Sequence, residues 1–200
     1  SAIPENVNLV SIATGSAYNS DGASCAVDDL GDAYCWGDGE AGNIGDGLNT
    51  ISNPYPVKVA KGGSSAIPLD SQLIKIGTTN NNSCAIDIDG EGYCWGDNTH
   101  GQFGNGTTTN SNYPTKIVKG GSSAIPVGDK LIDIAVGSLC TCALGEHGKA
   151  FCWGWNTNGQ CGSGDYVDSL YPAAVAVSPS NGSSQITAQT VLKQISASAN

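Results

Sequence analysis

Four short apolar runs recur along the chain and predict the first strand of a repeated unit. They are LVSI from Leu9, LIKI from Leu73, LIDI from Leu131 and LKQI from Leu192. Apolar residues hold the first, second and fourth positions of the first three runs, a pattern that predicts a short strand buried mostly on both faces. These three runs are followed by a Cys-Ala-apolar stretch and then by an apolar-Cys-Trp stretch, which we interpret as two further strands.

A tight hairpin is predicted between the second and third strands of each repeat. The midpoint between the two cysteines is Leu30, Asp89 or His147. The next residue is glycine in every repeat: Gly31, Gly90 and Gly148. This spacing is typical of a three-residue loop in which glycine adopts the left-handed conformation. The run after each Tyr-Pro step (VKV, TKI or AAV) supplies a fourth, outer strand, so each repeat carries the four antiparallel strands of a propeller blade.

The same register extends over the whole chain. Trp36, Trp95 and Trp153 stand at nearly equal intervals. The sequence KGGSSAIP occurs twice, from Lys61 and from Lys119, and SNGSSQI takes its place near the C-terminus. We therefore predict an all-β array of three repeats plus the opening strand of a fourth, with boundaries at 1–64, 65–122, 123–183 and 184–200.

The recurring motifs resemble those of the regulator of chromosome condensation repeat family. The match is best in NTHGQFGNG, which follows Cys94-Trp95-Gly96, and nearly as good from Gly159 to Gly162. The resemblance implies propeller blades, and because the family's full ring has about seven blades, three repeats do not close a ring alone. The paired cysteines look like those of secreted bacterial members. The family hosts exchange factors, an enzyme inhibitor and surface proteins, so the fold by itself does not assign a function.

The composition excludes several classes of partner. Asp and Glu outnumber Lys and Arg by 18 to 8, and all the basic residues are lysines. A net charge of −10 argues against nucleic acid and anionic lipid, because both require clustered cations. No apolar run is long enough to span a membrane, so we expect no membrane insertion of this segment. No signal peptide is visible, and we expect a mature form or a fragment.

The eight cysteines indicate disulfide bonds. Three pairs have constant spacing and face each other across the predicted hairpins: Cys25/Cys35, Cys84/Cys94 and Cys142/Cys152. The other two, Cys140 and Cys161, are unique to the third repeat and predict a fourth bridge. Zinc ligation and free buried thiols are the alternatives, but neither histidine completes a zinc set by its spacing. An even count in register favours an oxidising, extracellular or cell-surface location.

Candidate catalytic groups are few. His100 and His147 lie at different repeat positions, and we interpret both as turn residues; no Gly-x-Ser-x-Gly motif is present. Glu91 and Glu146 stand near hairpin tips rather than as a converging pair. Acid-rich tips leave calcium open as an alternative: Asp28, Asp29 and Asp32, and Asp87, Asp89 and Glu91. We therefore predict no enzyme activity, no cofactor and no bound metal.

Residues that break the repeat are the candidates for binding. Trp155 and Tyr166 have no counterparts in the other repeats and lie in predicted loops, as does Tyr18. Leu192 and Ile195 belong to a strand whose blade is incomplete, so they are candidates for contact with another subunit. Three sequons are glycosylation candidates if the host modifies them: Asn81, Asn105 and Asn181.

These observations favour a non-catalytic extracellular protein with a structural or adhesive role at a surface. Open blade edges recruit other strands, so the expected partner is a protein or a second copy, arranged head to tail in a ring, a filament or a pilus-like appendage. A secreted binding protein that inhibits or sequesters another protein is the alternative. An enzyme ranks third.

Overall fold

The computed structural model describes residues 3–15, 22–48, 51–177, 186 and 190–197, and these residues form an all-β structure. The opening strands of the three blades are β1 (Leu9–Thr14), β5 (Leu73–Thr78) and β9 (Leu131–Val136). The hairpin strands are β2 (Ala23–Asp28) with β3 (Ala33–Asp38), β6 (Asn82–Asp87) with β7 (Gly92–Gly96), and β10 (Cys140–Gly145) with β11 (Ala150–Gly154). The outer strands are β4 (Ser52–Lys58), β8 (Ser111–Lys116) and β12 (Ser169–Ala174).

The strands form three antiparallel sheets of four strands each, which confirms the predicted blades. The orders are β1-β2-β3-β4, β5-β6-β7-β8 and β9-β10-β11-β12. The paired cysteines lie directly opposite each other, as in Cys25 with Cys35. The loop glycines have the predicted left-handed backbone, with φ of 82° at Gly31 and 79° at Gly90. Hairpin chemistry in the sequence therefore determined the register of each sheet.

The apolar core lies between successive sheets. One core joins the first and second sheets and the other joins the second and third. The first and fourth positions of an opening strand face the preceding blade, so Leu73 and Ile76 are 1% and 5% exposed. The prediction of burial on both faces is wrong at the second position, because Ile74 is 38% exposed. That side chain points away from the blade junction.

The first blade has no blade before it among the described residues, and its opening strand shows the effect. Leu9 is 46% and Ile12 64% exposed, against nearly complete burial of the matching residues in β5. The same two positions of the repeat thus alternate between core and surface according to whether a neighbouring blade covers them.

Residues 190–197, which include the predicted opening strand of a fourth repeat, contact the third blade without forming a strand. The Leu192 amide donates to the Gly148 carbonyl at 3.1 Å, as Leu131 donates to Gly90 and Leu73 to Gly31. The Ile195 amide donates to the Asp133 carboxylate at 3.2 Å. Leu192 thus makes the main-chain hydrogen bond that the first residue of β5 and of β9 makes. Residues 190–197 do not form a β-strand, and no second strand among the described residues pairs with them.

Candidate functional site

Each described junction between blades is fixed by a tryptophan of the later blade. The Trp95 indole Nε1 donates to the Asn43 carbonyl at 2.9 Å, and the Trp153 Nε1 donates to the Gln102 carbonyl at 2.7 Å. Both indoles are fully buried. A buried indole N–H requires an acceptor, and the Gly-rich loop of the earlier blade supplies it with a main-chain oxygen.

Glycines in the Gly-rich loop make room for these rings. A Cβ at Gly104 would lie 2.8 Å from the Trp153 Nε1, and one at Gly45 would lie within 2.5 Å of the Trp95 Nε1. A tyrosine of the later blade also packs directly on a glycine of this loop, because the ring of Tyr113 covers Gly47. Backbone and ring are therefore in direct contact at each junction, which only glycine permits.

A buried lysine adds a polar clamp at each junction. Lys119 Nζ donates to the carbonyls of Gly90 at 2.9 Å and Asp129 at 2.7 Å and pairs with the Glu91 carboxylate at 3.1 Å. Burial alone would raise the pKa of Glu91, but hydrogen bonds from Lys116 and Lys119 outweigh it and hold that pKa below its ordinary value. Lys61 repeats the arrangement with Asp32 in the first blade. The clamp ties a hairpin tip to the entry of the next blade.

The outer face of the first blade presents the donor half of such a junction, and no blade among the described residues covers it. Trp36, the counterpart of Trp95, is half-buried, and no carbonyl among the described residues accepts its indole N–H. Tyr55, the counterpart of Tyr113, is 70% exposed. We call Trp36 and Tyr55 the donor face.

The outer face of the third blade presents the acceptor half. Gln160 occupies the place of Asn43 and Gln102, and its carbonyl receives no indole N–H within the described part of the chain. Among the described residues, a Cβ at Gly162 would meet only Val175 at 3.4 Å, and one at Gly164 only Ala176 at 3.6 Å. We call Gln160, Gly162 and Gly164 the acceptor face. The loop oxygens that matter in these faces belong to the main chain, so side-chain motifs could not reveal them.

The structure contains the three hairpin disulfides, with Cα–Cα distances of 4.0–4.1 Å. The fourth predicted pair differs, because Cys140 and Cys161 are thiols whose sulfurs lie 3.0 Å apart. The hydrogen bond from Cys161 lowers the pKa of Cys140, and the same contact raises the pKa of Cys161. The two sulfurs are thus in contact and already positioned for a bond between β10 and the Gly-rich loop.

Trp155 lies beside this thiol pair. Its ring stacks on His100 of the second blade, with centroids 5.2 Å apart and planes at 15°. Trp155 and Cys140 line a cavity of about 420 Å³ that also reaches Ser196. Tyr166 is 73% exposed and packs along Gly159 of the same blade. Neither candidate residue belongs to the donor or the acceptor face.

The remaining candidate residues have separate positions. Leu192 and Ile195 are half-buried against the third blade. The sequon Asn81 is exposed and Asn105 half-buried, whereas Asn181 and Tyr18 lie outside the described residues.

The acidic tips of the first two blades are occupied by internal hydrogen bonds rather than arranged as an open ligand set. Asp28 Oδ1 accepts the amides of Leu30 and Asp32, at 3.0 and 2.8 Å, and its Oδ2 accepts the Tyr34 hydroxyl. Burial and the adjacent Asp28 charge raise the pKa of Tyr34 to about 12. Asp87 repeats this pattern with Tyr93. These carboxylates cap their own turns, which is the conformational role that Asp plays in many tight loops.

Two family models for the regulator of chromosome condensation (RCC1) repeat match this chain. One matches residues 89–144 and 147–189, and the other matches residues 73–102 and 131–160. Together they cover more than half of the sequence and include the two junction tryptophans. The described residues contain no helix with the length and apolar character to cross a membrane.

Curated relatives and solved structures agree with these models. The Ultraviolet-B receptor UVR8 of Arabidopsis thaliana is 32% identical over 145 residues, 72% of this chain and 30% of that protein. The human E3 ubiquitin-protein ligase HERC2 is 28% identical over 174 residues, 86% of this chain but 3% of the ligase. The chain therefore spans less than a third of the length of either relative.

Two solved structures share the fold. Human WBSCR16 superposes with a TM-score of 0.70 at 21% identity, covering 87% of this chain and 41% of that one. Yeast RCC1 (Prp20), solved with Kap60 bound, gives a TM-score of 0.64 at 22% identity, covering 84% of this chain and 37% of that one. At these identities the likeness concerns the fold.

Proposed function

Because the chain belongs to the RCC1 repeat family, we propose that it is a non-catalytic protein-binding module whose two outer blade faces join copies head to tail. The assembly serves a structural or adhesive role outside the cytosol. A family likeness to yeast RCC1 with Kap60 bound supports protein binding as the general activity of this fold. The particular partner proposed here, a second copy, comes from the faces described above.

The observation that carries this proposal is the complementarity of the two outer faces. The donor face offers an indole and a tyrosine ring, and the acceptor face offers the carbonyl and the glycines that receive such rings at both internal junctions. One chain therefore holds both halves of a contact that it already makes twice. Such a contact is heterologous, so it closes into a ring or continues as a filament according to the rotation per copy.

One obstacle must be resolved before two copies join. Residues 191–195 of the first copy lie where β1 of the incoming copy would dock, since Leu192 bonds Gly148 as Leu131 bonds Gly90. One of the two segments must leave. The apolar side chains Leu9 and Ile12 of β1 are exposed, whereas Leu192 and Ile195 are half-buried, so β1 gains less from apolar packing although it is hydrogen-bonded along its length to β2. We propose that residues 191–195 act as the opening strand for the neighbour's β2–β4, a strand addition in the sense of sheet augmentation.

The disulfides support the compartment. Three bridged hairpins in a chain of this size are typical of proteins that fold in an oxidising environment. A tightly packed surface assembly outside the cytosol is consistent with this chemistry and with the low content of charged residues.

Sedimentation velocity over a range of protein concentrations tests the proposal. We expect the full chain to associate reversibly, and we expect association at least tenfold weaker for Trp36→Ala/Tyr55→Ala and for a chain ending at Thr190. Leu30→Ala is the matched control, because it removes an exposed apolar side chain at the hairpin tip of the first blade, away from both faces. Circular dichroism should show all variants folded.

Two results would contradict it. The full chain remaining monomeric at about 1 mM, with the amides of Leu192 and Ile195 protected from hydrogen exchange, would show that the segment is satisfied internally. Association unchanged by Trp36→Ala/Tyr55→Ala would show that copies meet through some other surface.

A second candidate function is inhibition or sequestration of another secreted protein. The specific observation in its favour is the aromatic surface outside both faces, formed by the Trp155–His100 stack and the exposed Tyr166. Exposed aromatic residues are common anchors of protein interfaces. A stable monomer with a nanomolar protein ligand, and binding lost in Trp155→Ala, would favour this function over assembly.

A further inference from the structure

The hairpin tip of the third blade lacks the polar network that holds the other two. Where the first blade has Asp28 hydrogen-bonded to Tyr34, the third has Gly145 and Phe151, which carry neither carboxylate nor hydroxyl. The lysine clamp is also changed, because the acidic position of Asp32 and Glu91 is Lys149 in this repeat. A different set of side chains must organise this tip.

Three potential metal ligands converge there instead. His147 Nδ1 lies 3.1 Å from Asp129 Oδ1, and a carboxylate oxygen of Glu146 completes a group whose three donor atoms all lie within 4.8 Å of one another. Asp129 is 8% exposed, whereas the His147 side chain is 72% exposed. The group thus has a buried anchor and an open side. None of the other repeats carries this combination at the same positions.

The charge balance of this tip is unlike that of the others. Asp32 is paired with two lysines, Lys58 and Lys61, and Glu91 is paired with Lys116 and Lys119. Within the described residues, Asp129 has only the His147 ring as an ion-pair partner, and Glu146 has none. Two neighbouring carboxylates without a lysine between them favour a bound cation. The Lys130 amide donates to Glu146 Oε1 at 3.1 Å and orients that carboxylate toward the group.

We propose that Asp129, Glu146 and His147 bind one divalent transition-metal ion of the zinc class. An imidazole nitrogen with two carboxylate oxygens suits zinc, whereas calcium prefers oxygen ligands alone. Three protein ligands leave water to complete a tetrahedral site, which fits the exposure of His147. The ion binds His147 Nδ1 in place of the contact between Nδ1 and Asp129 Oδ1, and it joins the entry loop of the third blade to its hairpin tip.

This proposal departs from the expectation of no metal drawn from the sequence. Asp129 and His147 are 18 residues apart and belong to a loop and a hairpin, so no short ligand motif marks them. The fold brings them together because the entry of each blade passes beside its own hairpin tip. The Glu146 amide donates to the Lys130 carbonyl at 2.8 Å, as the Ile88 amide donates to the Gln72 carbonyl in the second blade.

Calorimetric titration of the full chain with zinc chloride is the test. The titration is done in a Cys140→Ser/Cys161→Ser background, because that thiol pair is a second place where zinc could bind. We expect one zinc ion per chain, and we expect affinity to fall at least tenfold in His147→Gln, in Glu146→Gln and in Asp129→Asn. His100→Gln is the matched control, since His100 is the other histidine and lies away from this tip.

Thermal unfolding with and without a chelator separates a metal site from a simple ion pair. A bound ion raises the unfolding midpoint of the parent in a way that the chelator reverses, whereas an Asp129–His147 ion pair alone is insensitive to it. His147→Gln should abolish the chelator effect without unfolding the chain, because this side chain is mostly exposed.

Several outcomes would overturn the proposal. They are the absence of zinc binding at about 1 mM, equal loss of binding in His100→Gln and His147→Gln, and unchanged affinity in both carboxylate variants. Should Asp129→Asn fail to fold, Glu146→Gln and His147→Gln decide the question alone.

Discussion

Trp153 and Gln102 form the link between the second and third blades: the indole N–H donates to the main-chain carbonyl of Gln102 at 2.7 Å, in a fully buried site. Trp153→Phe retains a large aromatic ring but leaves this carbonyl without its donor. We expect unfolding to be easier by about 1–3 kcal/mol, the cost of an unpaired buried polar group. Chemical denaturation of Trp153→Phe and of the parent measures this difference in the free energy of unfolding.

Trp36→Phe is the control for that experiment. Trp36 holds the same repeat position, but none of the described residues accepts its N–H, so the same substitution should cost clearly less. Equal losses in the two variants would mean that ring size, not the hydrogen bond, determines the stability of the junction.

Gly104 and Gly162 have the same backbone conformation, with φ of 64°, but different surroundings. A Cβ at Gly104 would lie 2.8 Å from the Trp153 ring, whereas one at Gly162 finds its nearest neighbour at 3.4 Å. Gly104→Ala should therefore destabilise the chain by about 1–3 kcal/mol more than Gly162→Ala, the range for overpacking. Similar midpoints of unfolding for Gly104→Ala and Gly162→Ala would show that the Trp153 ring moves aside at little cost in free energy.

The pH dependence of stability should reflect Glu91. Its pKa is lowered in the folded chain by Lys116 and Lys119 despite partial burial, so its contribution to stability is present above its ordinary pKa near 4.5. That contribution is lost as the pH falls through the lower folded value. Glu91→Gln should cost about 1 kcal/mol at pH 7 and progressively less as the pH falls below about 4.5.

Denaturation of both proteins across this pH range provides the measurement. Asp70→Asn, which removes a carboxylate from an exposed position without a described ion pair, controls for the general effect of net charge. A constant difference between Glu91→Gln and the parent at pH 7 and pH 3 would contradict the assigned role of the clamp.

Cys140 and Cys161 should form a fourth disulfide when an oxidising disulfide such as oxidised glutathione is supplied. Both thiols lose a proton, the sulfurs form one bond, and the two electrons reduce the added disulfide. Peptide mapping without reductant should then yield this link beside the three hairpin links. The new bridge closes a loop of about 21 residues and should stabilise the chain by about 3 kcal/mol.

A matched variant sharpens the cysteine prediction. Cys161→Ser leaves Cys140 unpaired two residues before Cys142, so exchange with the Cys142–Cys152 bridge would appear in this variant as a mixture of links. Finding Cys140 joined to Cys142 or Cys152 in the unaltered chain would show that contact between the two sulfurs does not direct the pairing.

The four-stranded blade could be predicted because residues close together along the chain specify its central hairpin. The hairpin follows from a glycine placed at Gly31 and its equivalents, where left-handed backbone is required, and from cysteines directly opposite each other across two strands. These features act over ten residues, so the sequence pattern alone determines the register. Because the same pattern recurs in three repeats, one prediction applies to all three sheets.

The relationships between blades were not predictable in the same way. The acceptors for Trp95 and Trp153 are main-chain oxygens of Asn43 and Gln102, which no side chain marks. The sequence pattern predicted that the second residue of each opening strand is buried. Ile74, the second residue of β5, is 38% exposed, because only one side of the strand faces a neighbouring blade.

The sequence by itself determined an all-β chain of four-stranded blades whose central hairpins carry paired cysteines. Only the tertiary structure decided that Leu9 lies at the surface while Leu73 is buried, and that Asp129 meets His147. The reason is physical: strands and hairpins depend on neighbours along the chain, whereas burial and ligand geometry depend on which blade stands beside which.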